Sequence, residues 1–369
     1  MFITAQSLKK ITFDNKNARF YQELKKRVNE YFVTNNLKPT ANTEMKIKTA
    51  VVLTSFFGCY AALVFFSWPW YITLALCVAM ALSVAGIGFN IMHDAAHRSY
   101  SKRAWVNTVL AYTLDLIGGS VALWKTKHNV IHHTYTNIPR WDGDIAQDAI
   151  IRLAPQQPYL KIHRFQHIYA FFLYSLLSLL WIYFGDFQKL ATRKIESYPL
   201  PRLSRKELFV LFAFKIFHLF YALVLPCFFH PWWGVLLCYL FINLIIGFIL
   251  SVVFQLAHIY ENTEYPEPDP ETHKINNEWA KHQLATTANF GVKNRILSWC
   301  IGGLNFQVEH HLFPHICHVH YPKINKILRE TCEEFKVKYN EFPSFRSALR
   351  AHVRQLYLLG RPEKYAHIS

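Results

Sequence analysis

Charge is scarce in this chain. Only 17% of its residues are Asp, Glu, Lys or Arg, while 52% are hydrophobic and 16% aromatic. From Thr49 to Asn90, and again from Ile216 to Ala257, there is no charged residue at all. Runs of that length exclude an ordinary soluble globule and point to membrane helices. Paired cysteines are also lacking. The seven cysteines are scattered with no CxxC, and several sit in apolar runs where cysteine acts as a small hydrophobe. No disulfide framework is expected, and the compartment reads as reducing. The N-terminus lacks the early apolar core of a signal peptide. Internal repeats, low-complexity tracts and a dinucleotide fingerprint are missing too. The formal net charge is nevertheless +16. Without a dense basic patch or nucleic-acid motif, that excess fits anionic lipid or an acidic partner rather than nucleic acid.

The apolar runs predict two hairpins of similar design. The first has spans at about 49–67 and 70–91, broken by Ser67-Trp68-Pro69-Trp70; the second has spans at about 208–229 and 232–257, joined by His230-Pro231-Trp232-Trp233. Proline marks each turn, and tryptophan suits an interface. Two shorter apolar stretches, about 104–123 and 169–184, are expected to lie in the interface or re-enter, because each would otherwise put the histidine groups described below on opposite faces. Both hairpin tips lack Lys and Arg, so the positive-inside rule puts the opposite side in the cytoplasm. Lys215 and His218, inside the third span, could snorkel, cap a polar path or face a substrate. Residues 1–48 form a cytoplasmic segment with Phe20, Leu24, Val28 and Phe32 at a spacing of four, an amphipathic helix that either lies on the membrane or packs on the body. Residues 49–325 form the membrane domain, and 326–369 a cytoplasmic helical tail. Helices are expected at Trp279–Asn289 and around Pro322–Lys338.

Histidine is what the chain has in quantity. Three groups stand out among 19: His93-Asp94-Ala95-Ala96-His97, His128-Asn129-Val130-Ile131-His132-His133, and Gln307-Val308-Glu309-His310-His311. Spacings of four, or adjacent pairs, can point several imidazoles one way from a helix turn. Topology adds His258, at the histidine end of the fourth span. Eight imidazoles exceed one four-coordinate zinc site and suit a two-metal centre. Gln307 could ligate through oxygen or hold a water. His315, four residues past His311, and Gln255 are weaker candidates. His163, His167, His218, His230, His273, His282, His318 and His320 lack the grouped spacing and read as background. Two irons held by nitrogen could activate dioxygen against an unactivated C–H bond, with the long helices admitting an alkyl chain; soluble di-iron bundles use carboxylates instead.

Three ordered boxes, HDAAH, HNVIHH and QVEHH, with a hydrophobic hairpin between the second and third, resemble the integral-membrane fatty acyl desaturases across most of residues 50–325. Gln307 and the following Leu-Phe-Pro resemble the front-end branch, which inserts a double bond between an existing one and the carboxyl end. The resemblance implies an all-α integral membrane fold, with two hairpins, interfacial helices and a cytoplasmic helical cap around a di-iron centre. It also implies dioxygen as co-substrate and an acyl-CoA or acyl-lipid substrate. Many front-end members carry a fused cytochrome b5 domain with a His-Pro-Gly-Gly motif. That motif is missing here, so electrons are expected from a separate ferredoxin or cytochrome b5 type donor. Some members place an Asn one turn before the fourth-span histidine, where this chain has Phe254 beside Gln255. The expected location is a multi-pass membrane protein, in the inner membrane if the source is bacterial. A hydroxylase on the same scaffold and a non-catalytic metal-binding membrane protein are the competing readings.

Overall fold

The computed structural model describes residues 10–16, 18–146 and 150–365. The start of the expected N-terminal segment and the last four residues of the tail lie outside them. The described chain is mostly helical. Four helices are long and apolar enough to cross a membrane: Thr43–Phe65, Trp70–Ala96, Arg205–Phe228 and Trp232–His258. They are called the first to fourth spans below. At 1.5 Å per residue, even the shortest covers a hydrocarbon core of about 30 Å.

Each hairpin begins with a side-chain cap. Asn42 accepts from the Met45 amide ahead of the first span, and Ser204 forms a reciprocal capping box with Glu207 ahead of the third. The tips meet at the other end. Phe65 and Phe229 rings lie 5.2 Å apart, and His230 Nε2 donates to the Val64 carbonyl at 3.0 Å. Trp68, Trp70, Trp232 and Trp233 are exposed there.

The two shorter apolar stretches are bent helix pairs rather than single segments. Ala104–Leu116 and Val121–Tyr135 meet at 110°, and Lys161–Ser175 and Leu177–Thr192 at 59°. Gly118, at φ +97°, turns the first pair back on itself. The break frees backbone carbonyls among apolar helices, where each must find a donor. Lys215 answers this need: its Nζ donates to the carbonyls of Gly118 at 2.7 Å and Ile182 at 2.8 Å, and pairs with buried Asp186 at 2.9 Å. Tyr221 donates to the Leu116 carbonyl at 2.8 Å, with His218 Nδ1 beside it. Snorkelling, capping a polar path and facing a substrate are the roles expected for Lys215 and His218; capping freed backbone carbonyls is not among them.

The helix Arg19–Thr34 buries Phe20, Leu24, Val28 and Phe32 against Ile324 and Leu328 of the helix Tyr321–Glu334. The apolar face therefore packs on the body, each side chain contributing about 1.5–3 kcal/mol. Helix does not extend over all of Trp279–Asn289. It stops at Thr286, and Asn289–Phe290 is extended, pairing in parallel with Glu341–Phe342. Two other two-residue pairings, Thr12–Phe13 with Lys274–Ile275 and Lys194–Ile195 with Tyr198–Pro199, are the remaining strands among the described residues. The helix Phe345–Leu359 buries Ala348, Leu356 and Leu359 in one core with Val252, Val253 and Leu256 of the fourth span.

Candidate metal centre

The three boxes are not all carried on regular α-helix. The second span passes through a π-helical stretch, Ile87–Met92, immediately before His93–Ala96. The second box lies in another, Thr126–His132. A π turn bonds i to i+5, so it aligns His128 with His133, whose Nε2 atoms are 3.2 Å apart. The third box is the short helix Gln307–Leu312. A turn at Gly302 and Gly303, both at positive φ, delivers it. A Cβ on Gly302 would overlap the Phe89 carbonyl, so this turn sits directly on the end of the second span.

All eight expected histidines come together, each at most 6% exposed. They form two groups. One nitrogen from each of His93, His97, His128 and His310 lies within 4.8 Å of the others, and the same holds for His132, His258 and His311. His133 stands between the groups, with ring centroids 4.8 Å from His97 and 4.5 Å from both His310 and His311. The boxes do not map one to a group. His128 and His132 separate although they share a box, and adjacent His310 and His311 separate because successive residues on a helix project about 100° apart.

The ring orientations suit metal. His132 Nδ1 donates to Asp142 at 3.1 Å, His311 Nδ1 to Gln283 Oε1 at 2.8 Å, and His258 Nδ1 to the Thr286 carbonyl at 3.3 Å. His310 Nδ1 lies 3.3 Å from the Tyr321 hydroxyl. A proton held at Nδ1 leaves Nε2 with a free lone pair. The buried Nε2 atoms of His97, His258 and His311 have no hydrogen-bond partner among the described residues. A buried polar atom left so costs about 1–3 kcal/mol unless something else engages it. Burial first, and neighbouring histidines second, hold His97, His128, His133, His310 and His311 well below the usual imidazole range, which favours the neutral form. For His132, burial pulls the same way but Asp142 and Asp144 outweigh it, and its pKa rises. Neutral, convergent, orphaned imidazole nitrogens fit two metal ions with nitrogen-rich ligation.

The weaker candidates sit at the margins. Gln307 is buried, with its amide nitrogen unpartnered among the described residues. Gln255 donates to the Asp144 carbonyl at 3.3 Å, and its buried Oε1 has no partner among them. Phe254 packs against Phe89 and the His128 ring. His315 is exposed and lies outside both groups, with Nδ1 2.9 Å from the His97 carbonyl.

Several supporting residues escaped sequence reasoning. Asp142 and Gln283 were not among the expected site residues. His318, among the histidines without grouped spacing, donates from Nδ1 to Asp94 at 2.9 Å and receives from Lys48 at 3.0 Å, with Cys317 Sγ also 2.9 Å from Asp94. The Asp inside the first box was the available clue. Glu309 is fully buried and accepts from Asn289 at 2.6 Å and Asn325 at 2.8 Å. Burial pushes its carboxyl up to about 7 in spite of those donors.

The comparisons with known proteins agree with this geometry. The family described as fatty acid desaturase matches residues 67–343. An sn-1 linoleoyl-lipid 6-desaturase of Synechocystis sp. is 36% identical over 97% of this chain and 99% of its own length. One of the same name from Arthrospira platensis is 39% identical over 93% of both. An acyl-lipid (8-3)-desaturase of Physcomitrium patens is 36% identical over 95% of this chain and 73% of its own. With the pattern covering most of the chain and the relatives nearly all of it, this membrane protein belongs to the fatty acid desaturase family and is an oxidoreductase.

Proposed function

We propose that the chain is an oxygen-dependent acyl-lipid desaturase that inserts a cis double bond on the carboxyl side of an existing one, at two iron ions held by the eight histidines. The observation that carries the reading is the pair of buried imidazole groups at one end of four spans. His93, His97, His128 and His310 would hold one ion, and His132, His258 and His311 the other, with His133 able to serve either. When bound, the irons supply the dioxygen activation needed to remove hydrogen from an unactivated methylene.

The chain's own residues provide the setting. Asp142, Gln283 and the Thr286 carbonyl hold protons at Nδ1 and aim three rings. Burial of all eight histidines keeps bulk water away from the reacting region. The names of the relatives favour a lipid-linked acyl chain over acyl-CoA. The histidine end faces the cytoplasm, by the distribution of Lys and Arg. Its basic surface suits an acidic ferredoxin or cytochrome b5 type donor, whose electron delivery should weaken with salt.

Expression in a host fed linoleate tests the reading. A new double bond nearer the carboxyl end, located by mass spectrometry in glycerolipid fractions, is expected. A hydroxylated chain with no new double bond would overturn it in favour of the hydroxylase.

A further inference from the structure

A cavity stands apart from the eight clustered histidines, none of which lines it. It occupies about 380 Å³ between the two hairpins and is lined by all four spans, among them Phe56, Val84, Ala222 and Ile246. Its mouth is at the tips, beside Trp68 and Pro231, and its floor is formed by Ile117, His218 and Tyr239. That volume falls in the range of small-ligand sites. Between floor and histidines, Ile87 and Ile91 are fully buried, and Phe89 packs on Phe254. A close-packed layer therefore separates this space from the metal centre.

The walls decide what fits. The histidines, tyrosines and tryptophan facing the cavity spend their hydrogen bonds on other side chains or on backbone. His218 Nδ1 lies 3.3 Å from the Leu116 carbonyl and its Nε2 3.1 Å from the Tyr239 hydroxyl, which also receives Tyr183 at 2.8 Å. Tyr221 donates to the Leu116 carbonyl and Tyr60 to the Tyr221 carbonyl. At the mouth, Trp68 Nε1 donates to Ala62 and His230 Nε2 to Val64. Among the described residues, no buried polar atom lacking a partner lines this space. A polar head group would lose its hydration and gain nothing in return, whereas an alkyl chain has nothing to lose.

We propose that the cavity is a binding site for one alkyl chain of a bilayer lipid, entering from the end opposite the histidines and filling the space between the hairpins. The occupant is separate from the chain undergoing desaturation. Its identity as a lipid chain rests on the membrane reading of the four spans, and not on the metals.

Gly234 offers the test, because a Cβ there would meet nothing within 4 Å. The full chain is reconstituted in phosphatidylcholine nanodiscs containing a phospholipid with a diazirine at one acyl terminus. After irradiation, labelled peptides are mapped by mass spectrometry. Labelling of the segments around Val84 and Ile246 is expected, and Gly234→Phe and Ala222→Phe should each reduce it several-fold. The chain lengths desaturated by these variants should stay as in the parent. Gly234→Ala, which adds little volume, should keep the labelling and so separates filling from misfolding. Equal labelling in the Phe variants would overturn the site. A shift of the desaturated products toward shorter chains would also overturn the proposal, assigning the space to the substrate's own methyl end. Labelling intact in a parent chain that forms no double bond would strike the proposed function and leave the lipid site standing.

Discussion

The two histidine groups use the same side chain and are held in different ways. In the second group every ring is braced through Nδ1: His132 on Asp142, His258 on Thr286, His311 on Gln283. In the first, only His310 has a comparable neighbour among the described residues, the Tyr321 hydroxyl. His93 and His97 are fixed from the backbone side instead. Asp94, between them, is tied to His318 and Cys317, and His318 to Lys48 of the first span. Trp124 then lies flat on His128, with centroids 4.4 Å apart and planes at 23°, and edge-on to His93 and His97. One group is aimed ring by ring; the other is aimed by anchoring the turn that carries it. The lesson is that ligand geometry can be set through the acceptor behind a ring or through the main chain beneath it.

The largest effect comes from removing a ligand, and here the two groups should not differ. His310→Ala and His132→Ala should each lower desaturation beyond the roughly 10–100-fold typical of an outer partner, and reduce the metal retained per chain. Lipid analysis alongside elemental mass spectrometry checks this. Parental activity in either variant would remove that histidine from the site.

Next is the anchor under the first group. His318→Phe leaves Asp94 and Lys48 buried without their shared partner. Breaking a buried charged contact in this way costs about 3–5 kcal/mol. Thermal unfolding in detergent should shift markedly downward, with metal lost first from the group containing His93. An unchanged transition would show that the anchor carries no strain-bearing role.

Asp142→Asn addresses the second group and should act on affinity more than on stability. The amide keeps an acceptor but loses the charge that favours the Nδ1 proton of His132. Metal affinity at the second group should fall by about 10–100-fold, the first group being spared. Chelator titration should show one weakly held and one firmly held ion. Equal weakening of both would erase the distinction between the two kinds of support.

How far the site could be read in advance follows the same division. The hairpins were legible because an uncharged run of some 40 residues with a Pro/Trp break has few other uses in a protein. That the eight histidines would gather was legible because seven of them have local box spacing and the order of the spans puts His258 on the same side. Asp142, Gln283 and His318 were not, since each reaches its partner only after folding. Gln283, for example, is 28 residues from His311. The sorting of His128 and His132 into different groups was hidden for another reason. It depends on a π turn over Thr126–His132, and periodicity arguments assume an α-helix. The Lys215 cap on the bend at Gly118 was hidden as well, since it lies 97 residues away.

The smallest expected effect falls on Trp124, and it is the finest probe of the contrast. Trp124→Phe keeps a ring against His128 but shortens the stack and withdraws contact from His93 and His97. Aromatic contacts of this kind are worth about 0.5–1.5 kcal/mol beyond the area they bury. No Nδ1 acceptor stands behind His93, His97 or His128 among the described residues, so the lost contact has no local substitute. The variant should therefore fold, load both ions, and release metal from the first group a few-fold faster under chelator. Joined with Asp142→Asn, the two effects should add, because the residues serve different groups. A strongly non-additive double variant would mean that the groups behave as one unit, with His133, which touches both, as the coupling element.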